Sequence, residues 1–307
     1  MRRAPIPSET MMSFEVDYKN GQRFVDRLTP QLERQIVKEY TEALREIRAT
    51  MAEYYAKYPM TYQEMAKYQR LEKLQAEIKV IISGMTEKVQ RKVASGLEDI
   101  YTNSYNVLGY ALENSAQLAW ALPPQRAIAE AINNPISGIK VTESLNRNRD
   151  YIISEINGEI TRGLIRGDSY RDMARGIKKK LEGNVNKNTL RIARTEAHKV
   201  QTIAQQDSFD YAESKGVEGK KVWVATLDSR TRPDHQEMDG KEADEDGYFT
   251  FPDGVKTQGP GLSGEPHQDI QCRCALLFVV DDIPEIRRTR EGIIGYKTYK
   301  EWAEAKK

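Results

Sequence analysis

Apolar residues in the first part of the chain recur at steps of three and four, which is the spacing of one face of an α-helix. Thr29 is a suitable N-cap, and Pro30 occupies the first helical position after it. The pattern ends at Pro59, so we predict a helix over residues 29–58. Its apolar stripe consists of Leu32, Ile36, Tyr40, Ala43, Ile47, Met51, Tyr54 and Tyr58.

A second helix is predicted from Thr61, which forms a capping-box pair with Glu64, while Met60 and Met65 occupy the staple positions. The pattern weakens toward residue 123, and the glycines within it predict bends or breaks. The apolar stripe of this helix consists of Leu71, Leu74, Ile78, Ile81, Met85, Val89, Val93 and Leu97. The glycines are Gly84, Gly96 and Gly109.

These helices predict a long hairpin or arm over residues 29–122, preceded by an N-terminal arm at 1–28. Two interpretations stay open. One is an antiparallel hairpin with a solvated outer face. The other is an arm that docks on a partner, because a narrow stripe on a long helix buries little surface by itself.

Shorter helices are predicted from residue 125 to Gly216, with Gly167 ending one and Asp168 or Ser169 capping the next. After them, "KKVWVATL" alternates like a strand and "CALLFVV" suits a buried strand. A long loop rich in Gly, Pro and Asp separates the two strands.

The predicted fold class is therefore α+β: an elongated, mainly helical N-terminal region followed by a small C-terminal α+β module with a long ordered loop. That module covers residues 125–280, with helices at 125–216 and the strand–loop–strand at 220–280. A helical tail is expected at 281–307.

Composition changes this picture little. Charged residues make up 30% of the chain, and 47 Lys and Arg against 46 Asp and Glu leave a net charge of +1. This balance argues neither for nor against nucleic acid. The start of the chain has no apolar run typical of a secretory signal, and no stretch approaches the ~18 apolar residues of a membrane span. The two cysteines are one residue apart and poorly placed for a mutual disulfide, which favours a reduced compartment such as the cytoplasm.

Charge is uneven locally, because residues 160–200 contain eleven Lys and Arg against four acids. One interpretation is an ordinary solvated basic helix face. The functional interpretation is contact with phosphates, and no base-reading motif supports sequence-specific binding. The candidate phosphate contacts are Arg175, Lys178, Lys179, Lys180, Lys187 and Arg191.

The long loop brings together residue types that bind zinc. His235, His267, Cys272 and Cys274 form a possible four-ligand set, which would leave no open position for water. The pattern is incomplete because Arg232 stands where a Cys would form a Cys-x-x-His pair, and Arg cannot bind a metal. Either no cofactor or one structural zinc is expected.

The alternative to a metal is a loop held by hydrogen bonds and ion pairs. Acidic side chains would cap turns and arginines would clamp carboxylates or carbonyls. The acids are Asp228, Asp234 and Asp239, and the arginines are Arg230, Arg232 and Arg273.

The same residues could also form a catalytic arrangement. His235 with neighbouring acids could form a hydrolase or nuclease centre, and Cys272 with His235 could form a nucleophile pair. Neither arrangement has a recognisable spacing, so we expect no enzyme activity. Glu196 is expected to form a salt bridge in preference to a site with His198. The acids of the hydrolase arrangement are Asp228, Glu237 and Asp239.

Three segments, "RIARTEAHKVQTIAQ", "KVWVATLDSRTRPDHQEMDGKE" and "IQCRCAL", together resemble the minor head, or head morphogenesis, proteins of tailed bacteriophages of the Mu F-like type. The likeness covers roughly residues 130–280. Many members carry Cys-x-x-Cys where this chain has Arg232 to His235. The residues that match the motif are Arg194, Thr195, Glu196, Trp223, Asp228, Arg230, Thr231, His235, Asp239, Gly240, Cys272, Arg273 and Cys274.

The resemblance implies a structural virion component that enters the procapsid in few copies and assists assembly, DNA packaging or ejection. The implied partners are the portal protein, the major capsid and scaffold proteins, and non-specifically the packaged DNA, with no membrane. The implied location is the capsid interior, after synthesis in the host cytoplasm. Some members are fused to toxin enzymes, and the roughly thirty residues after Cys274 are too few for such a domain.

Two rival functions remain open at this point. One is a metal-dependent nuclease or other hydrolase that uses Asp228, His235 and the pair Cys272 and Cys274. The other is a non-specific DNA-binding accessory protein, whose binding would weaken steeply with added salt.

Overall fold

A computed structural model describes residues 9–116, 118–136, 138–282 and 298–306. The chain is mainly helical and has two small antiparallel sheets near its C-terminal end, so the predicted α+β class is confirmed. No helix in these ranges is both long and apolar enough to span a bilayer.

Eleven α-helices and four strands are formed by the described residues. The helices are α1 (Glu9–Val25), α2 (Leu28–Lys57), α3 (Tyr62–Ala66), α4 (Arg70–Ala116), α5 (Gln125–Asn133), α6 (Val141–Arg166), α7 (Tyr170–Lys180), α8 (Asn186–Ser214), α9 (Pro233–Glu237), α10 (Pro266–Asp269) and α11 (Tyr299–Ala305). The strands are β1 (Glu218–Val224), β2 (Phe249–Thr250), β3 (Lys256–Thr257) and β4 (Ala275–Asp282).

The chain forms two compact units. The helical unit consists of Gln31–Ser95 and Ile139–Ala193, and the mixed unit consists of Met1–Pro30, Gly96–Gly138 and Arg194–Lys307. These units do not coincide with the consecutive segments predicted from the sequence, because α4 and α8 each contribute residues to both. The units are defined by which residues pack together, so a long helix can contribute one part of its length to each of two cores. In the predicted tail, residues 283–297 lie outside the described residues.

The helical unit is built on the predicted stripes. Ile36, Ile47 and Met51 on α2 and Leu74 and Ile78 on α4 are fully buried. One position of the α4 stripe differs, since Ile82 is buried and Ile81 is only half-buried. A helix turns by 100° per residue, so adjacent apolar residues compete for one inward position and spacing alone does not decide between them.

The breaks in the second helix are not where the sequence suggested. The helix α4 runs for 47 residues without interruption through all three of its glycines. The interruption comes earlier, at Tyr68 and Gln69, where positive φ angles of 54° and 56° separate α3 from α4. Glycine is tolerated inside a helix that buries a long apolar stripe, so the three glycines do not end it.

The side-chain caps predicted in this unit are present, although only the first half of the capping box at Thr61 is formed, because the Glu64 carboxylate pairs with Lys67 and Arg70. The Thr61 side chain accepts a hydrogen bond from the Glu64 N–H at 3.3 Å. Gly167 ends α6 with a left-handed φ of 75°, and Ser169, of the two predicted candidates, caps α7 by accepting from the Asp172 N–H at 3.2 Å. Local chemistry therefore sets these helix ends.

In the mixed unit, β1 pairs antiparallel with β4, and Trp223 lies opposite Leu276. The 50-residue connection between them holds the β2–β3 hairpin and two short helices, α9 and α10. Phe209 on α8 stacks on Phe278 of β4 at 4.7 Å between ring centroids, which joins the sheet to the helices of this unit. The sheet thereby supports both ends of the long connection.

Candidate metal centre

A cluster of one histidine and two cysteines lies where the long connection reaches β4. The Nδ1 atom of His235 lies 3.4 Å from Sγ of Cys274 and 3.6 Å from Sγ of Cys272. All three side chains are buried, and their ligand atoms lie within 4.8 Å of one another. Three of the four side chains proposed as zinc ligands are thus brought together.

Local turn chemistry places His235 in this cluster. Pro233 starts the short helix α9, which turns His235 inward. Behind the helix, Asp239 accepts a hydrogen bond from the Ala225 N–H at 2.8 Å, and Gly240, with φ of 74°, donates its N–H to the Trp223 carbonyl at 2.8 Å. The Asp-Gly pair of the motif therefore fixes α9 against β1.

Gln268, which no pattern in the sequence singles out, orients the histidine. Its side-chain amide donates to Asp234 at 2.7 Å and Asp253 at 3.0 Å, so its oxygen faces Nε2 of His235 at 2.8 Å. An amide oxygen only accepts, so Nε2 carries a proton and Nδ1 faces the sulfurs. In metal-ligating histidines, the ring nitrogen that does not bind the metal typically donates a hydrogen bond of this kind.

The pKa values of His235, Cys272 and Cys274 depend on the hydrogen bonds among these three side chains. A hydrogen bond from the Cys272 thiol lowers the pKa of Cys274 to about 4 and raises the pKa of Cys272. Burial alone would lower the pKa of His235, but the hydrogen bond and charge of Cys274 together with the hydrogen bond to Gln268 outweigh burial and raise it. A metal ion replaces such protons when it binds, so the cluster has the character of a metal site.

The space beside the cluster suits a single ion. A cavity of about 10 Å³ is lined by the three residues together with Arg230, Thr231, Arg232, Gln271 and Arg273. This is about the size of one water molecule. Two sulfurs and one imidazole nitrogen are a donor set that zinc prefers. The residues present therefore fit zinc, with one coordination position left to a ligand outside the set.

His267, the fourth proposed ligand, does not join the cluster. Its side chain is 59% exposed, and its Nε2 lies 3.3 Å from Asp253. The helix α10 turns Gln268 and Asp269 inward, and the residue before them consequently points outward. Among the described residues, the structure therefore brings together three of the four predicted ligands and leaves His267 apart from them.

A bidentate ion pair braces the cluster from outside. Arg273, between the two cysteines, places both terminal nitrogens 2.6 Å from the carboxylate oxygens of Asp228. This hydrogen bonding lowers the pKa of Asp228. The Thr226 hydroxyl donates to the Arg273 carbonyl at 2.8 Å, and the Arg230 N–H donates to Asp228 at 2.9 Å. Arg273 therefore ties the turn after β1 to the segment before β4.

The Arg-Thr-Glu segment of α8 supports the same region. The Thr195 hydroxyl accepts from the N–H of Gln271, and His198 Nε2 lies 2.7 Å from the Cys274 carbonyl. Glu196 pairs with Lys199 at 2.5 Å, and both are buried. Burial raises the pKa of Glu196 even with Lys199 beside it. Glu196 thus forms the expected salt bridge, and His198 contacts the cysteine segment instead.

The acids considered for a hydrolase centre do not meet at His235 in the structure. Asp228 pairs with Arg273, Asp239 accepts from the Ala225 N–H, and Glu237 is exposed on α9. Among the described residues, the only potential metal-binding group that includes His235 is the one with the two cysteines. The structure thus gives Asp228 and Asp239 structural contacts at the turn, whereas Glu237 points to solvent.

The candidate phosphate contacts lie on α7 and α8. Arg175 pairs with Asp172 at 3.1 Å, Lys178 with Glu182 at 3.7 Å and Lys180 with Glu155 at 2.5 Å. Lysines in the last turn of α7 also stabilise the carbonyl end of the helix. Contact of this face with phosphates stays a prediction.

Comparison with known proteins gives two informative matches. The family described as "Phage Mu protein F like protein" matches residues 154–277. "Minor head protein GP7" of Bacillus phage SPP1 is 33% identical over 297 residues, which cover 93% of this chain and 96% of that protein. No solved structure matches significantly.

Two further relatives match only part of their own length. "NAD(+)--arginine ADP-ribosyltransferase EFV" of Enterococcus faecalis is 34% identical over 248 residues, which cover 79% of this chain and 50% of that protein. An uncharacterized protein of Haemophilus influenzae is 26% identical over 199 residues, which cover 64% of this chain and 39% of that protein.

Proposed function

This chain belongs to the Mu F-like family of phage minor head proteins, and from that premise we propose that it enters the procapsid in few copies, close to the portal. A role in phage head morphogenesis, as a virion component among other capsid proteins, follows from family membership. The observation that carries the finer proposal is the match to a minor head protein along nearly the whole of both chains.

The proposed partners are the portal protein and the major capsid and scaffold proteins. The chain would be made in the host cytoplasm, reside in the capsid interior, and assist assembly and the packaging or ejection of DNA. Non-specific contact with packaged DNA would use the basic face of α7 and α8.

Assembly in the presence and absence of the portal tests this proposal. The chain is co-expressed with capsid and scaffold proteins, with or without the portal, and procapsids are purified by sedimentation. We expect the chain in substoichiometric amounts in portal-containing procapsids and strong depletion without the portal. Procapsids that contain the portal but lack the chain would refute incorporation, and equal amounts in both preparations would refute portal association.

We also propose that the chain has no enzyme activity. The motif residues that could have formed a hydrolase centre instead bond the turn to the strands: Asp228 to Arg273 and Asp239 to Ala225. The match to the ADP-ribosyltransferase covers only 50% of that protein, so we do not carry the transferase activity in its name over to this chain.

Direct assays test this assignment. Purified protein is incubated with duplex DNA and Mg²⁺, Mn²⁺ or Zn²⁺, and separately with NAD⁺ and an arginine acceptor. We expect neither cleavage nor transfer. Activity that disappears in His235→Ala but persists in His267→Ala, a matched substitution of the exposed histidine, would overturn the proposal.

The geometry further supports a structural zinc ion held by His235 Nδ1 and by the sulfurs of Cys272 and Cys274. Zinc would join α9 to the segment before β4 and so stabilise the long connection. We expect elemental analysis to find one zinc per chain, lost in Cys272→Ser and retained in His267→Ala. Absence of zinc from protein purified without chelators would refute the site, and loss in His267→Ala would restore the four-ligand set.

A further inference from the structure

The mixed unit contains a large cleft that takes no part in the metal centre. Its volume is about 1090 Å³, and α4, α5, α8, β1 and the long connection all contribute to its lining. None of the three zinc-binding candidates lines it. The volume is in the range of sites that hold organic ligands, which commonly span ~300–1,000 Å³.

One wall of the cleft is aromatic. Tyr101 and Tyr105 on α4 have nearly parallel rings with centroids 6.5 Å apart, and Tyr105 lies 6.3 Å from Tyr211 on α8. All three line the cleft. The faces of aromatic rings carry partial negative charge and attract cations.

The charged side chains that line the cleft are mostly acidic. Its four carboxylates are opposed by a single ammonium group, that of Lys221, which pairs with Asp210 at 2.7 Å. Glu130 pairs with Arg126 at 2.7 Å on the outer surface of α5. Among the described residues, neither Asp207 nor Asp246 forms an ion pair with a basic side chain. The cleft therefore has a surplus of carboxylates beside its tyrosines.

Asp207 is the carboxylate closest to the aromatic wall. It accepts a hydrogen bond from the Tyr101 hydroxyl, and it is half-buried. Burial raises the pKa of Asp207, because the loss of water from the charged form outweighs the hydrogen bond from Tyr101 and the attraction of Lys221. An incoming positive group would replace this lost solvation.

We propose that this cleft binds an arginine side chain of a partner polypeptide. A guanidinium group is planar, so its fork of N–H groups can donate to a carboxylate such as Asp207 while its face lies against Tyr211. Tyr211 is the least buried of the three tyrosines, and its ring already attracts the Lys215 ammonium, which lies 5.1 Å from the ring centroid. The volume exceeds that of one side chain and leaves room for flanking backbone. Asn134 and Gln258 in the lining add side-chain amides that suit a peptide backbone.

Calorimetric titration of the full chain tests the proposal. The probe is a capped peptide, acetyl-Gly-Gly-Arg-Gly-Gly-amide, compared with the same peptide carrying citrulline, which keeps the shape and removes the charge. We expect the citrulline peptide to bind about tenfold more weakly or not at all, as for the loss of one charge-assisted hydrogen bond. Equal binding of both peptides would overturn the assignment.

Variants locate the binding site. Asp207→Asn, whose amide oxygen still accepts from Tyr101, is expected to weaken arginine-peptide binding about tenfold. Glu213→Gln, on the same helix but outside the cleft, is the matched control and should change nothing. Asp246→Asn lies on an exposed loop and provides a second cleft variant that leaves the fold intact. Equal effects of cleft and control variants would show diffuse attraction and refute the site.

Free cations distinguish the source of the ligand. Arginine amide and spermidine offer positive charge without flanking residues, and we expect both to bind more weakly than the peptide. Binding as tight as that of the peptide would refute a polypeptide partner. The titration uses the isolated chain, so its result is independent of the procapsid experiment.

Discussion

The helical unit and the strand–loop region, which we define as residues 217–282 of the mixed unit, hold their shapes by different means. In the helical unit the core consists of apolar side chains repeated at helical spacing, such as Ile47 and Ile78. In the strand–loop region, single polar contacts such as Arg273 with Asp228 and Gln268 with His235 connect segments far apart in sequence.

The difference predicts how each region responds to substitution. A periodic stripe spreads burial over many equivalent positions, so any one of them contributes a moderate share. The strand–loop region has a small aromatic centre, in which Trp223 contacts His235, Phe249 and Phe251 with centroids 5.3 to 5.9 Å away. Much of its order therefore depends on one side chain.

Loss of that side chain is expected to have the largest effect. Trp223→Ala removes a fully buried ring and should lower the free energy of unfolding by about 3–5 kcal/mol. Denaturant unfolding followed by circular dichroism measures the change. Leu227→Ala, at a residue that is 66% exposed, is the control and should change the value by less than about 0.5 kcal/mol. If the two variants lost similar stability, the strand–loop region would not depend on Trp223, and the proposed contrast with the helical unit would fail.

Truncation of a side chain in the apolar stripe of α4 is expected to have the second largest effect. Ile82→Ala should cost about 2–4 kcal/mol because it leaves a cavity in the core of the helical unit. Val80→Ala, two residues away and 72% exposed, should cost less than about 0.5 kcal/mol. The same unfolding measurement applies, and a larger loss from Ile81→Ala than from Ile82→Ala would favour the stripe predicted from the sequence.

A helix cap has a smaller expected effect. Ser169→Ala removes the side chain that accepts from the Asp172 N–H, and should cost about 1 kcal/mol. Ser169→Thr keeps a hydroxyl that accepts from the Asp172 N–H and donates to the Asp172 carboxylate, and is the matched control, with little expected loss. If both variants lose the same stability, the cap is not the cause.

The smallest expected effect is a pH dependence in the strand–loop region. Arg273 lowers the pKa of Asp228, so this pair stabilises the fold above the unfolded-state pKa of about 3.9 and loses that contribution as pH falls through the lower folded-state pKa. Wild type should therefore exceed Asp228→Asn in stability at pH 7, and the difference should shrink in acid. In an Arg273→Gln background the difference at pH 7 should largely disappear, and its persistence there would show that Arg273 is not the partner.

Much of the fold could be predicted locally. The stripes of α2 and α4, the cap at Ser169 and the pair of strands around the long loop all follow from spacing and turn chemistry. The interruption at Tyr68 could not be predicted, because nothing in the residue types signals a positive φ there. The grouping of α4 and α8 residues into two units also required the packed structure.

For the candidate site, the sequence by itself determined the chemistry: which side chains can bind a metal, and where an arginine excludes one. Only the tertiary structure decided which of them meet, placing His235 with the two cysteines, leaving His267 outside, and adding Gln268. The reason is that residue type sets what an atom can bind, whereas distances between atoms thirty residues apart depend on how intervening turns direct each side chain.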